Sequence, residues 1–114
     1  MTLLEFRRAL ANALAEHFPQ ATLNCSENRG VVLSCRAEWG ADVFMVAYFN
    51  ALTQKTRYAL INDGERITGY DNYKFWHYHP IGAANQHIPC SKPTPEEVLA
   101  QFVIVVRQLG VERG

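Results

Sequence analysis

The sequence carries no excess of charge of either sign: eleven Lys and Arg side chains balance eleven Asp and Glu, and the pI is about 6.9. Surplus Lys and Arg supply most non-specific affinity for nucleic acid, so a chain-wide basic surface is excluded and only a local basic cleft is left open. Long apolar runs are missing too. The longest, Val43 to Phe49, is strand-sized, against roughly 18 residues for a membrane span, so no membrane role is expected. Charges at Glu5, Arg7 and Arg8 interrupt the first apolar residues and speak against a secretory signal. Cysteine is scarce, with Cys25, Cys35 and Cys90 only. An odd number in a chain without an export signal favours free thiols and a cytoplasmic location, with Cys25 and Cys35 as small buried hydrophobes on neighbouring strands. No nucleophile elbow, Gly-rich phosphate loop or carboxylate pair is present.

What is present is ordinary globular composition, 48% hydrophobic and 19% charged, and residues 1–114 read as a single α+β domain. Thr2-Leu3-Leu4-Glu5 has the form of a capping box. Leu3, Phe6, Leu10, Ala13 and Leu14 follow at helical spacing, and Pro19 ends the helix near His17. His17 itself sits where a cation suits the helix dipole. The period then changes to two. Ala21–Ser26, Val31–Glu38, Val43–Phe49, Arg57–Ile61 and Glu65–Tyr70 read as strands. Turns fall at Glu27-Asn28-Arg29-Gly30, where Asn28 and Gly30 suit positive φ, at Trp39-Gly40-Ala41-Asp42, and at Asn62-Asp63-Gly64. Thr94, Pro95 and Glu97 open a last helix with a second capping box. Val98, Leu99, Phe102, Val103, Val106 and Leu109 form its apolar face, and Gly110 is its stop. The expected fold is therefore α+β: an antiparallel sheet of four to five strands, with an N-terminal and a C-terminal helix packed on one face. An outer strand at Ala21–Ser26 offers an edge to a second copy, so a homodimer is one option.

The segment from Asp71 to Cys90 is the least regular and the most chemical. Three of the four histidines, His77, His79 and His87, fall within eleven residues. If 75–79 is extended, His77 and His79 project to one face. Three readings follow. As metal ligands, His77, His79, His87 and Cys90 are the right types for zinc, although their spacing matches no recognised signature. As acid–base catalysts, His77 and His79 with Asp71 suit a metal-independent ribonuclease, with Lys74, Arg66 or Arg57 stabilising the phosphorane and no cofactor expected. As structural or partner-binding residues, the histidines are hydrogen-bonded edge groups among Phe75, Trp76 and Tyr78. Asn72, Tyr73, Tyr78 and His87 complete the candidate binding set. Tyr48, Phe49, Tyr58, Tyr70 and Tyr73 are mainly core by default, with Tyr58 and Tyr70 as a cross-strand pair, and any exposed remainder is suited to stack bases or anchor a protein partner.

The ordered series Gly69-Tyr70-Asp71-Asn72, His77-Tyr78-His79-Pro80, His87-Ile88-Pro89 and Pro93-Thr94-Pro95-Glu96-Glu97-Val98-Leu99 resembles the TumE-like family of small prokaryotic proteins, grouped as toxin components of toxin–antitoxin systems. The resemblance is clearest over residues 56–109. It implies a leading helix, strands ending in a Tyr-Asp-Asn element, a His-x-His element and a closing helix. It also implies a toxin-module role, with RNA or a cognate antitoxin meeting the Asp71–His87 surface. It points to Asp71, Asn72, His77 and His79 without giving any of them a reaction. The alternative is a small non-catalytic metal-binding or protein-interaction domain.

Overall fold

Helix α1 (Leu3–His17) begins where the capping box places it. Thr2 Oγ1 accepts from the Glu5 amide at 3.1 Å, and Glu5 Oε1 accepts from the Thr2 amide at 2.9 Å. Its buried stripe is Leu3, Phe6, Leu10, Ala13 and Leu14, the set that helical spacing selects. The computed structural model describes residues 1–40 and 42–113. Ala41, in the expected Trp39–Asp42 turn, lies outside the described residues.

Among the described residues seven strands follow: β1 (Thr22–Asn28), β2 (Val32–Glu38), β3 (Val43–Asn50), β4 (Thr56–Asn62), β5 (Glu65–Asp71), β6 (His77–His79) and β7 (Ile88–Pro89). They pair antiparallel in chain order, each with its sequence neighbour. The expectation of four to five strands undercounts this sheet. The two extra strands are three and two residues long, too short to show a period of their own. β1 and β7 are the edges.

Hairpin chemistry sets the register. Asp63 and Gly64 both take positive φ, so Asn62 faces Glu65 across a two-residue loop. At the β1–β2 turn the positive-φ residues are Arg29 and Gly30, one position later than Asn28, because Asn28 is still paired with Val32. A bulge at Ile67 shifts the β4–β5 ladder between Leu60 and Ile61.

Register rows show which face is covered. Cys35, Ala47, Tyr58, Tyr70 and Tyr78 lie opposite one another from strand to strand. The Tyr70 ring meets Phe102 and the Tyr58 ring meets Phe6, which also stacks on Phe49 at 4.8 Å between centroids. Both helices therefore cover this one face, as expected. The alternate row of Ser34, Tyr48, Arg57, Asp71 and His77 lies on the face away from them.

Helix α2 (Pro95–Arg113) has the expected Thr94–Glu97 capping box, with bonds of 3.0 and 3.1 Å. It does not stop at Gly110, which stays helical and lacks the positive φ that a glycine stop uses. Its fully buried residues are Val98, Leu99, Phe102 and Val105, with Val103 and Val106 packed at the margin. His17, at the end of α1, reaches Glu96 of α2 at 3.5 Å.

Cys25 and Cys35 are direct partners across β1 and β2 and are joined as a disulfide. This corrects the free-thiol reading. A register that sets two cysteines opposite each other, 4.1 Å apart at Cα, brings their sulfurs together. Cys90 is free. No helix among the described residues is long and apolar enough to cross a membrane.

Candidate metal centre

Asp71, the last residue of β5, faces His77 at the start of β6, and Gly69 faces His79. Period-two geometry sends Asp71, His77 and His79 to the helix-free face of the sheet. His87, two residues before the Pro89 that pairs with His77, falls on the same face. On an open face His77 and His79 should be wet, yet they are only 1% and 2% exposed. Residues 80–87 cover them. This segment folds back through a turn in which Ala83 N–H donates to Pro80 O and Gly82 takes positive φ. It is tied down by Arg66, whose Nη2 donates to Ala84 O at 3.0 Å. Thr68, inside β5, donates its hydroxyl to His79 O at 2.7 Å.

The nitrogens and oxygens converge. His77 Nε2 lies 3.0 Å from Asp71 Oδ1, and His79 Nε2 lies 2.9 Å from Asp71 Oδ2. His87 Nδ1 lies 3.1 Å from His77 Nε2. The three imidazoles pack on one another with centroids 4.6 to 5.0 Å apart. His77, His79 and His87 thus form a group that could hold a metal ion, with one ligand nitrogen from each within 4.8 Å of the others. Ligand atoms about 2.1 Å from one ion stand roughly 3.0–3.4 Å apart, so the group needs only a small contraction from its 4.8 Å limit to close around an ion.

Protonation sharpens the point. His77 Nδ1 is 2.9 Å from Phe75 O, and His79 Nδ1 is 2.9 Å from Ala84 O. A carbonyl only accepts, so each Nδ1 carries the hydrogen, and a neutral ring then turns a lone pair from Nε2 toward Asp71. A lone pair facing a carboxylate oxygen is repulsive. A cation seated among these acceptors relieves that repulsion. Burial pushes the Asp71 carboxyl up. The hydrogen bonds from His79 and from the Tyr73 amide, with the charges of His77 and His79, outweigh burial together and hold it below its ordinary value.

The remaining candidates divide by face. Cys90 does not join the ligand set. Its amide bonds to Trp76 O, so it lies opposite Trp76, and strand parity sends its thiol to the helix side, away from His77. Burial raises that thiol's pKa. Tyr78 also faces the helices, its ring 6.2 Å from Tyr70. Asn72 is structural: Oδ1 accepts from the Thr56 amide and Nδ2 donates to Gln54 O, both at 2.9 Å, which pins the start of β4. Arg57 lies directly opposite Asp71. Arg57, Arg66, Tyr73 and Asp71 line one hollow of about 390 Å³, together with Tyr48 and Lys55. Sequence reasoning set Tyr48 in the core and passed over Lys55. The signal was available for Tyr48, since it alternates with the buried Ala47 and Phe49 along β3.

Comparison with protein-family models, with curated proteins and with solved structures finds no match.

Proposed function

We propose that this protein binds a divalent transition-metal ion, zinc first, through His77 Nε2, His79 Nε2, His87 Nδ1 and the Asp71 carboxylate. One observation carries the reading: both buried histidines fix Nδ1–H on a backbone carbonyl and aim Nε2 at the same carboxylate. Metal-ligating histidines are oriented in this way, the second nitrogen held by a carbonyl or carboxylate behind it. Three imidazoles and one carboxylate match zinc, and imidazole also serves copper, nickel and iron. The same burial disfavours acid–base catalysis by His77 or His79, because neither ring has an edge open to a substrate. His87 is the exposed member of the group.

Metal analysis of the full-length protein tests this. About one equivalent of bound metal is expected after reconstitution, falling below about a tenth of an equivalent in His77→Ala/His79→Ala. Far-ultraviolet circular dichroism checks that the variant is folded. Wild-type protein that takes up less than a tenth of an equivalent of every metal offered overturns the proposal.

The resemblance over residues 56–109 gives this reading a cellular setting, a toxin module held by a cognate antitoxin. Expression in a bacterial host tests that part alone. Growth arrest by the wild type supports it, and normal growth overturns it.

A further inference from the structure

We infer that the helix-free face of the sheet holds a second site, a groove that binds single-stranded nucleic acid through its phosphates. Two hollows on this face, of about 490 and 390 Å³, share Tyr48 and Arg57 and so form one track from β1 toward Asp71. Lys55, Arg57 and Arg66 line its β4–β5 end. Among the described residues Lys55 and Arg57 form no ion pair, and Arg66 gives a hydrogen bond to the Ala84 carbonyl. Arg36, farther along, is engaged by Glu38 and lies over the Phe44 ring. Among the described residues Asp71 is the single carboxylate lining the β4–β5 end, and its oxygens face the two histidines. The cations there are open to an anion.

An exposed aromatic favours nucleic acid over an acidic peptide. Tyr73 is 62% exposed, with Lys55 and Lys74 ammonium groups 5.9 and 5.6 Å from its ring centre. Phe75 is 50% exposed on the same loop. A large ring held in water beside unpaired cations is the pairing that single-strand binders use, bases stacking on the ring and phosphates meeting the cations. The chain's balanced charge is no obstacle, since the basic groups here are concentrated in one place. The groove needs no metal, so this inference stands apart from the metal centre.

The test is fluorescence anisotropy with a labelled oligouridylate of about ten nucleotides, using full-length protein both metal-free and reconstituted. Saturable binding that weakens with salt is expected in both forms. Lys55→Gln/Arg57→Gln, which breaks no ion pair and loses only the Lys55 contact with the Tyr73 ring, should weaken it about tenfold and cut the log–log salt slope by about 1.4, two phosphates at about 0.7 each. Tyr73→Ala should weaken it at least fivefold through lost stacking. Metal uptake in both variants should match the wild type. No wild-type binding at low salt, unchanged binding in both variants, or equal displacement by polyglutamate overturns the inference.

Discussion

Asp71 and His79 meet through Oδ2 and Nε2 at 2.9 Å, while the other nitrogen of His79 is held by the Ala84 carbonyl. The ring is fixed at both ends, so Nε2 has one direction in which to act. A metal ion bound at Nε2 would therefore lie beside Asp71. Replacing Asp71 by Asn keeps the shape and removes the charge. The metal dissociation constant should rise at least tenfold by competition titration. At a metal concentration about 100 times that constant, the wild type should gain roughly 2.7 kcal/mol, or about 10 °C in Tm. Asp71→Asn should gain no more than about 1.4 kcal/mol at the same concentration.

Gly69 and Gly110 should respond oppositely to alanine. A Cβ at Gly69 would run into the Tyr58 carbonyl oxygen, and that is backbone in the middle of the sheet. Gly69→Ala should cost about 2 kcal/mol or more in urea unfolding. A Cβ at Gly110 meets nothing, and the residue is helical. Gly110→Ala should stabilise by up to about 1 kcal/mol.

Burial raises the pKa of Tyr58, and burial first, then Cys90, Tyr78 and Glu97, raises that of Tyr70. A raised folded pKa means stability that is complete below the unfolded value, about 10 for tyrosine, and is lost as pH climbs from there toward the folded value. Urea midpoints should therefore fall steeply above about pH 10. In Tyr58→Phe the fall should be shallower. Equal slopes in the two proteins would show that Tyr58 is not the titrating group.

The Cys25–Cys35 bond makes a countable claim. Unreduced protein, unfolded in denaturant, should show one reactive thiol, Cys90. Reduction should reveal the other two and lower stability by at most about 3 kcal/mol, the loop-closure value for a bridge of this span. Three thiols before reduction would refute the pairing.

Local signals were the legible ones. Both capping boxes and the Asp63-Gly64 hairpin are contained in four residues each, and they stand where the sequence puts them. Strands β1 to β5 were readable because each is at least seven residues long. β6 and β7 were not, and β7 even contains a proline at the sheet edge, where a missing amide donor is tolerated. The site's location was legible from the histidines alone. Its membership was not, because membership depends on parity between strands. His87 and Cys90 are three residues apart and so fall on opposite faces. Asp71 enters only through its register with His77. The disulfide needed the same information, the pairing of β1 with β2.

The sheet runs from β1 to β7 without a crossover. A meander of this kind can be altered at its last strands without rethreading anything before them. The histidines sit on or beside β6 and β7, with Asp71, at the end of β5, as their link to the longer strands. The proposed metal centre is therefore an end-piece. Sequence change can rewrite the ligand set by exchanging one short terminal hairpin, while β1 to β4 and their helical cover go on folding as they did.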